Sequence, residues 1–151
     1  MIRLAKPEEA AAIQDVAERA YQIYVEDLGR PPAPMIADFA KHIDRDWVIV
    51  FELNRVVAGY AILMGDGQRA LLDNIAVDPA FQGRGIGRAL IDEVERHAAA
   101  LGHADLTLYT NVVMTANIAW YEKLGFAETG QAEEHGFHRV YMSKTIASRD
   151  D

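Results

Sequence analysis

The chain contains no cysteine. Disulfides, a thiolate nucleophile and cysteine-based zinc sites are therefore excluded. It also has no apolar run approaching the ~18 residues a membrane-spanning helix requires, and Met1-Ile2-Arg3-Leu4-Ala5-Lys6-Pro7 lacks the apolar core of a secretion signal. A cytoplasmic location without membrane association is the expectation. Basic residues are few: 15 Lys and Arg face 23 Asp and Glu, giving a formal net charge of −8. Affinity for nucleic acid comes largely from clustered cations neutralising phosphates, and no such cluster exists here, so no nucleic-acid partner is expected. Of the histidines (His42, His97, His103, His135, His138) only the last two are close in sequence. They lack companions at ligand spacing, and no metal site is expected. No G-x-S-x-G elbow, internal repeat, linker or low-complexity stretch occurs.

What is present reads as one ordinary folded domain. The chain has 151 residues, half of them hydrophobic and a quarter charged, enough for a sizeable core. The domain is expected over residues 1–146, with 147–151 a frayed tail. Ile2-Arg3-Leu4 reads as a first strand. Pro7 suits the first position of a helix, with Glu8 and Glu9 at its positive end. Ile13, Val16, Ala17, Ala20, Tyr21 and Tyr24 then recur at helical spacing. That helix should stop by Gly29, because Arg30-Pro31-Pro32-Ala33-Pro34 cannot be helical throughout. A short helix is expected from Met35 to Ile43. The proline-rich link reads either as a plain connector or as a lid over a substrate.

Trp47–Leu53, Val56–Met64 and Ala70–Val77 read as an antiparallel meander turning at Asn54-Arg55 and Gly65-Asp66-Gly67. A helix marked by Ile86, Leu90, Val94, Ala98 and Leu101 follows, with Gly102 at its C-terminal end. A strand at Leu106–Tyr109, a helix at Met114–Leu124 stopped by Gly125, a strand from Phe126 and a last one at His138–Lys144 complete the order. This is an α/β chain: a mixed sheet with helices on both faces.

Between meander and helix lies Gln82-Gly83-Arg84-Gly85-Ile86-Gly87-Arg88. The first turn of a helix leaves N–H groups unpaired and carries about half a positive charge from the macrodipole. Glycines let an anion approach those groups closely, and Arg84 and Arg88 are spaced to flank it. The bland reading is a tight strand-to-helix connection that uses glycine for its conformational range. A nucleotide P-loop is excluded because no Lys-Ser or Lys-Thr closes the loop, and the G-x-G-x-x-G fingerprint because positions 88 and 90 are Arg and Leu. An acidic chain can still hold an anion here, since charges beyond about 8 Å are screened.

The pattern Q-x-x-G-x-G after Ile75-Ala76-Val77-Asp78-Pro79, followed later by Asn117-Ile118-Ala119-Trp120-Tyr121-Glu122-Lys123-Leu124-Gly125-Phe126, closely resembles two ordered motifs of the Gcn5-related N-acetyltransferases (GNAT). The resemblance covers roughly Ile2 to Ile146. It implies a mostly antiparallel central sheet flanked by helices, and acetyl-CoA as cosubstrate. It implies that Gln82, Gly83, Arg84, Gly85, Ile86, Gly87 and Arg88 hold the pyrophosphate. It implies that the backbone of Ile75, Ala76 and Val77 pairs with the pantetheine arm and helps polarise the acetyl carbonyl. Tyr121 matches a tyrosine that lies near the coenzyme sulfur and protonates it. Asn117 matches a coenzyme contact, although the family often carries that Asn one turn earlier, where this chain has Met114.

Acyl transfer from a thioester to an amine needs a polarised carbonyl, a neutral amine, close positioning and a stabilised thiolate. It needs no nucleophilic triad, which suits a cysteine-free chain. Alternation along the strand puts Leu71, Asp73, Ile75 and Val77 on one face and Leu72, Asn74 and Ala76 on the other. Asp73 and Asn74 interrupt its apolar character. They read either as a solvated edge with a satisfied neighbour or as contacts to the amine. Tyr121 could also be a packed aromatic, and Trp120 reads as core. Glu52, Asp73, Tyr109, Glu133 and His135 are candidate bases, and a water relay is equally compatible. The leading reading is an acetyl-CoA-dependent N-acetyltransferase acting on a small-molecule amine or a protein amino group, with a homodimer compatible. The alternative is a non-catalytic acyl-CoA sensor.

Overall fold

The computed structural model describes residues 1–65, 69–134 and 136–146. The expected tail, the tip of the Gly65-Asp66-Gly67 turn and His135 lie outside the described residues. Seven strands form one sheet in the order β1-β2-β3-β4-β5-β7-β6. They are β1 (Ile2–Leu4), β2 (Val48–Leu53), β3 (Val56–Gly65), β4 (Ala70–Val77), β5 (Asp105–Asn111), β6 (Ala127–Glu134) and β7 (Phe137–Thr145). β2, β3 and β4 make the expected meander, with Asn54 and Arg55 both at positive φ in its first turn. All neighbours are antiparallel except β4 and β5, which are parallel.

Helices cover both faces. One face carries α1 (Ala10–Tyr21), α2 (Val25–Leu28) and α3 (Phe39–Asp44). Ile13, Val16, Ala17, Phe39 and Ile43 pack there on Val48, Val50, Tyr60 and Ile62. The other face carries α4 (Ile86–Ala100), whose Ile86, Leu90, Ile91, Val94 and Ala98 pack on Ala58, Ala61, Ile75 and Val77. α5 (Thr115–Lys123) adds Tyr121 and the following Leu124 to that second core. The central strand β3 is buried on both sides, as its residues alternate between the two cores.

Three expectations need correction. The helix expected from Met35 to Ile43 is two pieces: a 3₁₀ turn at Ala33–Ile36, then α3. Between them Ala37 is extended, and the Asp38 carboxylate accepts the Lys41 amide at 3.1 Å, starting a new helix with its own cap. Leu101 leaves the buried stripe and is 61% exposed, because α4 ends at Ala100 and Gly102 takes a left-handed φ of 89°. The third correction bears on the site. Ile62 pairs with Asn74 but Leu63 pairs with Leu72, so Asp73 is an extra residue in β4. This bulge shifts the phase of the strand. Leu72 therefore shares a core with Ile75 and Val77, not the face of Ala76.

The bulge lies near a larger irregularity. β4 and β5 pair only through Ala70 with Leu106 and Leu71 with Thr107. β5 then follows β7 along its whole length, from Asp105 to Asn111. Beyond Leu71 the edge of β4 facing β5 is left without a strand partner. At the far end of β4, Arg19 of α1 donates through Nε and Nη2 to Asp78 Oδ2 at 3.0 and 2.6 Å, while Asp78 Oδ1 caps the Pro79–Phe81 turn through the Ala80 amide at 3.0 Å. Among the described residues no helix is long and apolar enough to cross a membrane.

Asp78 thus serves two partners while Arg19 serves one and is half exposed. Asp78→Ala is expected to lower urea-unfolding stability by about 1–3 kcal/mol, through a lost cap and an orphaned guanidinium. Arg19→Ala should cost no more than about 1 kcal/mol. Equal losses would show that the ion pair, not the cap, dominates.

Candidate active site

Where β4 and β5 part, two cavities open and meet. The first, of about 590 Å³, runs between the end of α1, the end of β4, the glycine loop and α5. Its lining includes Ile75, Ala76, Val77, Gln82, Gly83, Gly85, Ile86, Gly87, Arg88 and Asn117. Gly83 and Gly85 hold φ of 81° and 77°, a region that L side chains resist, and Gly85 is the N-cap of α4. The first α4 bond runs from the Ala89 amide to Gly85 O at 3.0 Å, so the amides of Ile86, Gly87 and Arg88 precede any intrahelical partner. Three unpaired donors at the positive end of a 15-residue helix suit a bound phosphate group.

The two arginines differ. Arg84 lies over the Phe81 ring, 5.4 Å from its centroid, and is not among the lining residues. Arg88 lines the cavity, but its Nη2 donates to Lys123 O at 2.6 Å and its Nη1 to Leu124 O at 3.5 Å, closing the C-terminal end of α5. Gly87 is required by packing as well: a Cβ there would sit 2.4 Å from Trp120 Cζ2. Trp120, read from the sequence as core, both packs on the core and lines the cavity. Lys123, Tyr21 and Tyr24 also line it and were not singled out from sequence. The tyrosines announced themselves only as positions in a helical stripe, where a hydroxyl is the one unusual group.

The second cavity, of about 390 Å³, lies beyond the junction and is lined by Asp73, Asn74, Tyr109, the 28–37 segment, Met114, Phe137 and Arg139. Tyr21 and Asn117 line both cavities, and Tyr121 lines the smaller one beside them. Tyr21 Oη donates to Ile75 O at 3.1 Å, meeting one of the backbone groups β5 leaves unpaired. Burial pushes Tyr21 up to about 12, partly offset by hydrogen bonds with Asn117 and Tyr121. Burial, and then the neighbouring Tyr21, hold Tyr121 well above the ordinary phenol value. Both hydroxyls keep their protons at neutral pH.

The candidate bases separate clearly. Asp73 lines the second cavity, and burial raises its carboxyl, while Asn74 and His42 act in the opposite sense. Asn74 Nδ2 donates weakly to Asp73 Oδ2 at 3.4 Å, and Asn74 Oδ1 is buried without a partner. Tyr109 lines the same cavity. Glu52, also a candidate base, lines neither cavity and is paired with Arg3 at 3.0 Å near the β1 edge. Glu133 is 84% exposed on β6, 4.0 Å from His138.

A family model described as the acetyltransferase (GNAT) family matches residues 11–126. The chain belongs to that family. The acetyltransferase is 30% identical over 139 residues to the peptidyl-lysine N-acetyltransferase YjaB of Escherichia coli K12, covering 90% of this chain and 80% of the relative. The crystal structure of the ribosomal-protein-S18-alanine N-acetyltransferase from Escherichia coli superposes with a TM-score of 0.76 at 26% identity, over 100% of this chain and 97% of that one. A PaiA N-acetyltransferase from Thermoplasma acidophilum in complex with coenzyme A shares the fold, with a TM-score of 0.80 at 16% identity over 96% and 98% of the two chains. The protein is an acetyl-CoA-dependent N-acetyltransferase.

Gly87→Ala must displace Trp120, so it should narrow the cofactor cleft and lower the melting temperature, with a stability loss of about 1–3 kcal/mol. Arg84→Ala should leave the melt unchanged, whereas Arg88→Ala should lower it by uncapping α5. Thermal melts of the three variants check this; an unchanged Gly87→Ala melt would mean that Trp120 yields freely.

Proposed function

We propose that acetyl-CoA lies in the larger cavity, with its pyrophosphate on the Gln82–Arg88 loop and its pantetheine arm along the free edge of Ile75, Ala76 and Val77, and that an amine meets the acetyl carbon from the smaller cavity. The observation that carries this reading is the sharing of Tyr21 and Asn117 by both cavities, with Tyr121 hydrogen-bonded to Tyr21 on the smaller-cavity side. A thioester and an amine placed on either side of that junction both meet the Tyr21–Tyr121 hydroxyl pair. The acceptor is an amino group of a protein or of a small molecule. The named relatives act on peptidyl lysine and on the alanine of a ribosomal protein.

The amine nitrogen attacks the acetyl carbon, the C–S bond breaks, and one proton must leave nitrogen while one reaches sulfur. Asp73 takes the first. A weak carboxylate base suffices, because the nitrogen becomes strongly acidic once bonded to the carbonyl carbon. Tyr121 supplies the second. A thiol has a reference pKa of about 8.5, so a phenol held above 10 gives up its proton only as the bond breaks and charge collects on sulfur. It donates a hydrogen bond before that point, stabilising charge that exists in the transition state but not in the ground state. Asn117 bridges the coenzyme and the Tyr21 hydroxyl.

Tyr121→Phe keeps the ring that stacks on Trp120 and meets Phe126, and deletes the hydroxyl alone. It is expected to lower kcat and kcat/KM together by about 10²-fold, the lower end of general-acid effects, since a thiolate already leaves well. Acetyl-CoA affinity by calorimetry should stay within about twofold. Product formation followed beside a melt decides it: undiminished turnover removes Tyr121 from the proton transfer.

A further inference from the structure

The proline-rich link read from sequence as connector or lid forms a wall of the smaller cavity. Leu28, Pro32, Pro34 and Ile36 line one side, and Met114 and Phe137 the other. The two rims touch, for the Arg30 guanidinium sits over the Phe137 ring at 3.8 Å from its centroid. At about 390 Å³ the enclosed space is near the small end of the ~300–1,000 Å³ range that buries small ligands.

Among the hydroxyls and amides of this lining, which include Thr110, Asn111 and Asn117, two neighbours on β4 stand out. Asp73 offers a carboxylate, and Asn74, 4% exposed, offers an Oδ1 with no hydrogen-bond partner. A buried carbonyl oxygen without a donor is costly unless something supplies one. An amine has N–H donors for both oxygens at once. The charged residues of this lining, among those described, are Asp73 and Arg139. Arg139 is committed: its Nη1 donates to Glu134 Oε2 at 2.8 Å, and its guanidinium covers the Tyr109 ring at 4.4 Å. A carboxylate beside the docked nitrogen would therefore be desolvated with no uncommitted cation in that lining, since Arg30 lies over Phe137 at the rim and not among the lining residues. Extended polypeptide fits poorly as well, because a strand-like partner needs backbone donors and the Pro32 and Pro34 wall has none at those positions.

We propose that the acceptor is a small primary amine carried on an apolar arm, with no carboxylate beside the nitrogen: the amine docks on Asp73 and Asn74, and the arm lies against the proline wall and Phe137. This rests on the acetyl-transfer reading of the junction, and it names Phe137 as a specificity residue and Asn74 as a positioning residue for the amine.

The test uses 2-phenylethylamine, L-phenylalanine (the same arm with a carboxylate beside the nitrogen), and two peptides, one bearing an internal lysine and one an N-terminal alanine. Acetylation of 2-phenylethylamine should exceed each of the others in kcat/KM by about tenfold or more. Phe137→Ala should raise its KM by about tenfold with little change in kcat, and Asn74→Leu should weaken amine binding without altering acetyl-CoA affinity. Calorimetry titrates acetyl-CoA into each folded variant, and 2-phenylethylamine into the coenzyme A complex. Equal or better use of either peptide or of phenylalanine overturns the proposal, as does an amine whose binding ignores both substitutions. If coenzyme binds but 2-phenylethylamine neither binds nor reacts, the acceptor class is wrong and the coenzyme site stands. If acetyl-CoA itself fails to bind wild type, the transfer reading fails at its base and takes this one with it.

Discussion

The early parting of β4 from β5 is the constraint on which the site depends. A parallel pair joined at two positions cannot remain a sheet beyond them, and β5 is held instead by seven pairings to β7. The consequence is a run of β4 backbone whose amides and carbonyls face an opening. Buried backbone groups do not stay unpaired without cause. Tyr21 reaches across from α1 to take Ile75 O, and the rest of that edge is open to a ligand that itself carries amides. The same divergence makes room for two cavities and lets Tyr21 and Asn117 belong to both.

Holding such an opening needs firm walls, and these are tied to one another instead of to the missing strand. Asp78 fixes the end of β4 to α1 through Arg19. Arg88, at the start of α4, reaches the last carbonyls of α5. Trp120 of α5 rests on Gly87 of α4 so closely that even a methyl group would collide. The glycine loop is therefore shaped twice. Gly83 and Gly85 supply left-handed backbone, and Gly87 supplies the absence of a side chain where α5 docks. A tight turn into α4 and the docking of α5 draw on the same short sequence, which explains why its glycines are so dense.

The loop, the meander, the long helix and Tyr121 were legible because each is written in local chemistry: glycine against helix start, alternation, a period near 3.6, a recognisable motif. What was not legible depends on partners distant in sequence. The bulge at Asp73 exists because Leu63 pairs with Leu72 while Ile62 pairs with Asn74, and strict alternation along β4 cannot reveal that. It is also what turns consecutive polar residues toward one cavity, Asp73 and Asn74 both lining it. Tyr21 looked like any apolar position of an amphipathic helix until β4 came beside it. Glu52 was misplaced for the converse reason: a strand residue was assumed to face the cleft, but Arg3, reached through the β1–β2 pairing, claims it.

The electrostatic character of the junction follows from burial. Tyr21, Tyr60 and Tyr121 are all buried, and burial lifts each hydroxyl above its ordinary value. The other phenols and Asp73 make ionising Tyr60 and Tyr121 harder still, while hydrogen bonds from Asn117 and Tyr121 partly offset the effect of burial on Tyr21. The cluster therefore behaves as a set of neutral dipoles, and the Tyr60 hydroxyl has no partner at all. Solvent reorganises around a developing charge at a free-energy cost, whereas dipoles already fixed by packing do not. Asp73, itself raised by burial, is disfavoured as an isolated anion and gains most when a cationic or N–H-rich group arrives beside it. Asp73 in the smaller cavity thus lacks, among the described residues, a positive partner at hydrogen-bond distance, while Tyr21 and Tyr121 set neutral hydroxyls at the junction. On the proposed reading an amine supplies what Asp73 lacks and a departing thiolate uses what the hydroxyls offer, so the two features suit the two ends of one reaction.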